Sequence, residues 1–180
     1  MRAAQLAADK LATALPRRWR HVQAVGTKAA WLGSVVPPAD ADLLVSAAWL
    51  HDVGYAPDII DTGLHSLDGA RWLLRNGWDS RLAGLVANHS CALYEAAERG
   101  LREVLASEFP QERSAVADAL WYVDMTTGPD GQDLTPSERL EEIRARYGPQ
   151  DVVTRFWRRA EPELLEAVRR TEERKAGHPM

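Results

Sequence analysis

Apolar residues recur every three to four positions along most of the chain, and Pro and Gly punctuate the segments between them. That period predicts helices throughout. The first covers 3–15 and stops before Pro16, and the second covers 17–33, followed by a loop from Gly33 to Pro38. Asp40 reads as the N-cap of a helix to about Val53, with Gly54 as its C-terminal stop. Further helices are expected over about 64–76, closed by Gly77, and from a cap at Asp79 to about His89. Others follow over 92–99, 101–108 and 112–124. After the turn-rich TTGPDGQDL, Thr135-Pro136-Ser137-Glu138 forms a capping box with Pro at the first helical position, opening a helix to about Tyr147. Residues 150–176 read as two helices split near Pro162, and GHPM, with His178, as a frayed tail. No run of β-branched residues alternates with polar ones, so the expected fold class is all-α.

Polar residues interrupt this pattern where apolar ones belong. The segment ADLLVSAAWLHDVG is apolar nearly all round, as a buried helix is. His51 shares a face with Leu44, Ala47 and Ala48, and Asp52 with Val45, Ala48 and Trp49. A carboxylate placed there is costly unless it is paired or coordinates a metal. His89 follows Leu82, Leu85 and Val86 on one face, Asp124 follows Ala117, Leu120 and Trp121, and His21 lies on the row through Val25, Lys28 and Leu32. Any one of these could be a hydrogen-bonded core residue. Several imidazoles and carboxylates directed into one helical core suit a divalent metal better than a set of unrelated exceptions. Such ligands fit Zn, Fe, Mn, Co or Ni. Adjacent ligands at 51 and 52 point about 100° apart on a helix, so both reach one ion only near a helix end, which Gly54 permits.

Composition narrows the classes. The net charge of −4 and acidic balance argue against binding a nucleic-acid polymer, while a locally positive, metal-bearing pocket still accepts phosphate. The single cysteine, Cys91, allows no intrachain disulfide. The N-terminal residues hold no apolar signal region, and no stretch approaches a membrane span. A cytoplasmic protein without a membrane partner is expected. Of the aromatic residues seven are Trp, read as core packing. A thiol mechanism through Cys91 and His89 is disfavoured, because residues two apart on a helix do not face each other.

The order His21, His51-Asp52, Asp124 resembles the HD superfamily of metal-dependent phosphohydrolases, named for the adjacent His-Asp pair. HDVGY at 51–55 is similar to its HDIG-type motif, with Tyr55 where Lys is common. The likeness covers roughly 17–147 and leaves 148–180 as a C-terminal helical extension of a single domain, 1–180. His65 in GLHSLDGARWL and His89 in VANHS resemble the extra histidines of subfamilies that bind two metals, including bacterial enzymes that split diadenosine tetraphosphate.

The resemblance implies one or two divalent ions per chain (Fe, Mn, Zn, Co, Ni or Mg). His21, His51, Asp52 and Asp124 would hold the first, and Asp52, His65 and His89 the second. Asp52 would bridge them and act in catalysis on a small phosphate ester, a nucleotide or dinucleoside polyphosphate. Lys28 and Arg139 are candidate phosphate contacts. Two other readings stand beside this one: a non-catalytic metal or nucleotide sensor that uses its C-terminal helices to contact a partner, and a di-iron oxygenase. The pattern commits to no oligomeric state.

Overall fold

The computed structural model describes residues 2–177; His178, read as part of the tail, lies outside them. The described residues form ten α-helices: α1 Arg2–Leu11, α2 Pro16–Trp31, α3 Ala41–Leu50, α4 His65–Arg75, α5 Ser80–Ala87, α6 Ala92–Glu98, α7 Arg102–Glu108, α8 Ala115–Met125, α9 Pro136–Tyr147 and α10 Val152–Gly177. The sole extended pairing among them is one bridge between Thr127 and Asp133. The fold is all-α, as the periodicity requires.

Two helices carry the centre of the bundle. α3 packs against α1, α2, α5 and α8, with Leu44, Ala47, Ala48 and Leu50 fully buried. In α8, ten of eleven residues are buried, so this helix too is apolar on every side but one. Both helices deliver polar groups at the same end, His51-Asp52 just past α3 and Asp124 in the last turn of α8. Among the described residues no helix is long and apolar enough to cross a membrane.

Several local signals acted as read. Asp79 accepts a hydrogen bond from the Leu82 amide at 3.0 Å, Gly77 adopts a left-handed φ of 73° after α4, and the Thr135–Glu138 capping box is complete. Others did not. Pro16 is the first residue of α2, where its missing N–H costs nothing. Asp40 occupies the N-cap position of α3 without capping it; its carboxylate takes Arg81 at 2.6 and 3.1 Å instead. α3 ends at Leu50, three residues early, and Gly54 lies in a single 3-10 turn, Val53–Tyr55. Its glycine is required by a close crossing: a Cβ there would lie 1.9 Å from the His65 carbonyl oxygen and 2.7 Å from the Gly69 nitrogen.

The C-terminal extension is one helix, not two. Pro162 sits inside α10. A proline in a helix interior costs roughly 3 kcal/mol. Phe156 and Trp157 before it and Leu164 after it are all buried, and α10 packs on α6, α8 and α9. Burial of each such side chain contributes on the order of 2 kcal/mol, so packing on both sides of the proline outweighs the break. The reading of the tryptophans as core holds for Trp121 and Trp157 but fails for Trp31, which is 72% exposed.

Candidate metal centre

Five elements bring six side chains to one place. His21 comes from the middle of α2, His51 and Asp52 from the turn after α3, His65 from the first position of α4, and Asp124 from α8. His89 lies past the end of α5 in a short 3-10 turn, His89–Cys91. Asn88 stops α5 there by donating its side-chain amide to the carbonyls of Gly84 and Phe109, both at 3.0 Å. α3 ends at Leu50, so His51 and Asp52 lie at the helix end that two adjacent ligands of one centre need. All six are buried except His65, which is partly so.

The six divide into two adjoining groups, His21, His51 and Asp124 in one and Asp52, His65 and His89 in the other; within each, the ligating atoms lie within 4.8 Å of one another. Asp52 stands between them. Its Oδ2 is 3.3 Å from His51 Nε2 and 3.9 Å from His21 Nε2. Its Oδ1 is 3.6 Å from His65 Nε2 and 4.0 Å from His89 Nε2. One carboxylate oxygen thus faces each group, the disposition a bridging ligand needs. Asp124 Oδ1 lies 3.0 Å from His21 Nε2 and 3.8 Å from His51 Nε2.

Backbone carbonyls fix the ring orientations. The Nδ1 atoms of His21, His51 and His89 donate to Gly128, Ala48 and Val86 carbonyl oxygens at 3.1, 2.8 and 2.6 Å. A carbonyl only accepts, so Nδ1 carries the hydrogen and the Nε2 lone pair of each neutral ring is free to bind a cation, the usual state of ligating histidines. The Nε2 atoms face one another in pairs, His21 with His51 at 3.4 Å and His65 with His89 at 3.2 Å. Two imidazole nitrogens on one ion, each at about 2.0–2.1 Å, lie roughly 2.8–3.4 Å apart for angles between octahedral and tetrahedral. The residues therefore fit one or two divalent ions in donor chemistry and in spacing.

The charges agree. Burial alone would raise the Asp52 carboxyl, but Arg18 and His51 beside it hold it well below the usual carboxylate range. Asp124 is likewise held low against its burial, by His21 and His51. Burial disfavours the His51 cation, yet Asp52 and Asp124 outweigh it and raise that ring to about 9. Burial, and then the neighbouring imidazole, push His65 and His89 down. The carboxylates draw positive charge to the first group, carried by a proton on His51 Nε2 until a metal cation displaces it, while burial favours neutral rings in the second.

At the centre lies a cavity of about 210 Å³, lined by Asp52, His65, His89 and Asp124 together with Arg18, Arg99, Arg139 and Arg146. Arg139 is on its wall, as expected of a phosphate contact, but it is buried, at 6% exposure. Lys28 is not on that wall. Its ammonium is bound by Thr126, at 2.7 Å to the carbonyl, and by Asp133 at 2.6 Å.

Three residues have contacts at the centre that sequence reasoning did not assign. Arg18 donates to Asp52 Oδ2 at 2.8 Å and lies 4.0 Å from the Tyr55 ring centroid. Its spacing of three residues before His21 on α2 was the available signal. Tyr55 stacks on the His65 ring at 4.1 Å, filling the place where relatives often carry Lys. Ser90 donates its hydroxyl to Asp124 Oδ2. Ser90 and Cys91 are consecutive left-handed residues, φ 46° and 62°, a conformation that costs non-glycine residues roughly 1–2 kcal/mol each. No sequence pattern announces it.

The strain at Ser90 turns the chain so that His89 and Ser90 both reach the centre. Ser90→Ala is expected to lower metal affinity about 10–100-fold, the scale for losing a ligand's hydrogen-bond partner. Ser90→Gly should lose the same affinity while raising the melting temperature, because glycine relieves the left-handed strain. Metal titration with a fluorescent chelator, beside thermal melts, separates the two effects; unchanged affinity in both variants would show that Ser90 does not hold Asp124.

An all-helical body with imidazoles and carboxylates gathered at the ends of its two central helices defines a histidine–aspartate metalloprotein class. Comparison with known protein families matches residues 18–140 to the HD domain, and the chain belongs to that family, part of a superfamily of metal-dependent phosphohydrolases. The matched span includes all six centre residues and Arg139, and excludes α10. Searches among curated proteins and among solved structures returned no match.

Proposed function

We propose that the protein is a hydrolase that removes a phosphoryl group from a small phosphate ester of the nucleotide type, at the centre formed by His21, His51, Asp52, His65, His89 and Asp124. The observation that carries this reading is Asp52, which offers one oxygen to each imidazole group beneath a cavity walled by arginines. Divalent ions held there would supply Lewis-acid polarisation of phosphoryl oxygens and activation of a water molecule at neutral pH. Asp52 orients the nucleophile side of the centre, and Arg18 fixes Asp52 through its hydrogen bond at 2.8 Å. Arg139 and Arg146 meet the charge of the ester, since guanidinium groups match phosphate geometry with two donors at once. The apolar wall of Ile143, Val153, Phe156 and Trp157 limits water around the bound ester, which strengthens each electrostatic contact.

Phosphate release from a panel of nucleoside mono-, di- and polyphosphates tests the reading. Activity should appear with Mn²⁺, Co²⁺, Zn²⁺, Ni²⁺, Fe²⁺ or Mg²⁺, vanish on chelation, and return when the ion is restored. Metal binding with no panel member hydrolysed, read both as released phosphate and as cleaved nucleotide, would overturn the phosphohydrolase reading.

A further inference from the structure

Three carboxyl groups line the central cavity, those of Asp52, Asp124 and Glu95. The first two belong to the metal centre. Glu95 does not, yet it is buried, at 7% exposure. The turn that places His89 also places Glu95. Ser90 and Cys91 take up their left-handed conformations and α6 starts at Ala92. Ala92, Glu95 and Arg99 then follow at intervals of three and four residues, on one face. All three line the cavity.

One partner holds Glu95, and by one oxygen only. Arg99 donates to Oε1 from Nε at 2.9 Å and from a terminal nitrogen at 2.7 Å. Among the described residues no donor meets Oε2. Arg18 from α2, and Asp52 and Tyr55 from the turn after α3, act on the same carboxyl at longer range.

The three carboxyls are pushed in opposite directions. Burial raises Glu95, and the Arg99 pair does not cancel the rise. Asp52 and Asp124 are held low by the cations around them. Carboxyls of one cavity tuned apart in this way take different roles: the ionised ones hold cations, and the raised one carries a proton. A phosphoryl anion bound beside Glu95 favours its protonated form further.

From this placement we infer that Glu95 is a further catalytic residue, the proton donor to the leaving oxygen of an alkyl phosphate ester. The inference rests on the phosphohydrolase reading above and narrows it to esters that release an alcohol. The oxygen of the attacking water bonds to phosphorus and its proton passes to solvent. The bond from phosphorus to the ester oxygen breaks, its electron pair stays on that oxygen, and the Oε2 proton of Glu95 joins it. An alcohol and inorganic phosphate result. Glu95 is left as a carboxylate, which the two Arg99 bonds stabilise until solvent returns a proton. A nucleoside hydroxyl leaves poorly without that proton, whereas a phosphate leaving from a polyphosphate needs none.

The test sets Glu95→Gln, which carries no carboxyl proton, against the parent. The substrates are the common nucleoside 5′-monophosphates and their analogues with sulfur bridging phosphorus and the 5′ carbon, from which a thiolate leaves unprotonated. Glu95→Gln should slow the metal-loaded protein about 10²-fold or more on the oxygen esters, the scale of general acid catalysis, and at least about tenfold less on the sulfur esters. Metal content, read by elemental mass spectrometry, should stay as in the parent. Infrared difference spectra of the parent against Glu95→Gln, with inorganic phosphate bound, should show a protonated carboxyl. Arg99→Met breaks the ion pair but keeps the acid, so its loss should be equal on both esters. Equal losses on oxygen and sulfur esters in Glu95→Gln overturn the inference, as does an Arg99→Met that reproduces the selectivity of Glu95→Gln, since Glu95 then serves only to hold Arg99. A Glu95 that stays ionised with phosphate bound overturns it as well. A parent that cleaves polyphosphates but no monophosphate overturns it and spares the phosphohydrolase reading; cleavage of neither overturns both.

Discussion

Asp52→Ala is expected to abolish phosphate release, with a loss on the order of 10³-fold or more, the scale of removing a preorganised electrostatic group. Asp52 offers a carboxylate oxygen to each imidazole group, with one oxygen 3.3 Å from His51 and the other 3.6 Å from His65. Its loss also leaves Arg18 without its carboxylate at 2.8 Å, so the arginine is freed to move into the cavity. Metal content should fall with activity. His65→Ala is the informative companion, because His65 belongs to the Asp52–His89 group alone. With two ions per chain in the parent, His65→Ala should lose one and Asp52→Ala at least one; with a single ion, only Asp52→Ala should lose it. Elemental mass spectrometry on freshly purified protein reads the count. Wild-type turnover in Asp52→Ala would sink the mechanism.

Gly54→Ala is expected to be the most destabilising conservative change in the chain. The added Cβ would lie 1.9 Å from the His65 carbonyl oxygen and 2.7 Å from the Gly69 nitrogen. Both neighbours are backbone, so neither can rotate away, and α4 must shift as a body. Overpacking typically costs 1–3 kcal/mol and occasionally more; here about 3 kcal/mol or more is expected. For a chain of this size that lowers the melting temperature by roughly 6–12 °C. His65 is the first residue of α4, so the same shift should reduce metal binding by the Asp52–His89 group. Gly84→Ala in α5 is the control, with nothing within 4 Å of the added methyl, and should be neutral or gain about 1 kcal/mol. Equal melting temperatures for the two variants would mean the crossing is looser than the structure has it.

The helical period placed the first nine helices within a few residues, because each buries an apolar stripe that repeats every 3.6 residues. It also singled out His21, His51, Asp52, His89 and Asp124 as polar groups on buried faces, which the structure bears out in every burial. His65 came from the family likeness instead, since it opens its helix and interrupts no apolar face. Errors fell where local rules compete with packing. Gly54 looked like a helix stop and is a contact glycine. Pro162 looked like a break, but the buried residues on both sides of it override the lost hydrogen bond.

By itself, then, the sequence determined the helices, the buried His and Asp positions and, through HDVGY, the family. These follow from periodicity and from residue types at fixed spacing, which are local properties. The family likeness had already divided the six side chains into two groups, and the structure gathers them in that division; only the tertiary structure decided which oxygen of Asp52 faces each group, and that Arg18 and Ser90 hold the carboxylates while Lys28 serves Thr126 and Asp133. It alone brought Arg139, from the far side of the TTGPDGQDL loop, against Arg18. The physical reason is that distances between side chains on different helices depend on how helices cross and where each one ends. Those crossings are set by the summed packing of the core, which no short window of sequence contains.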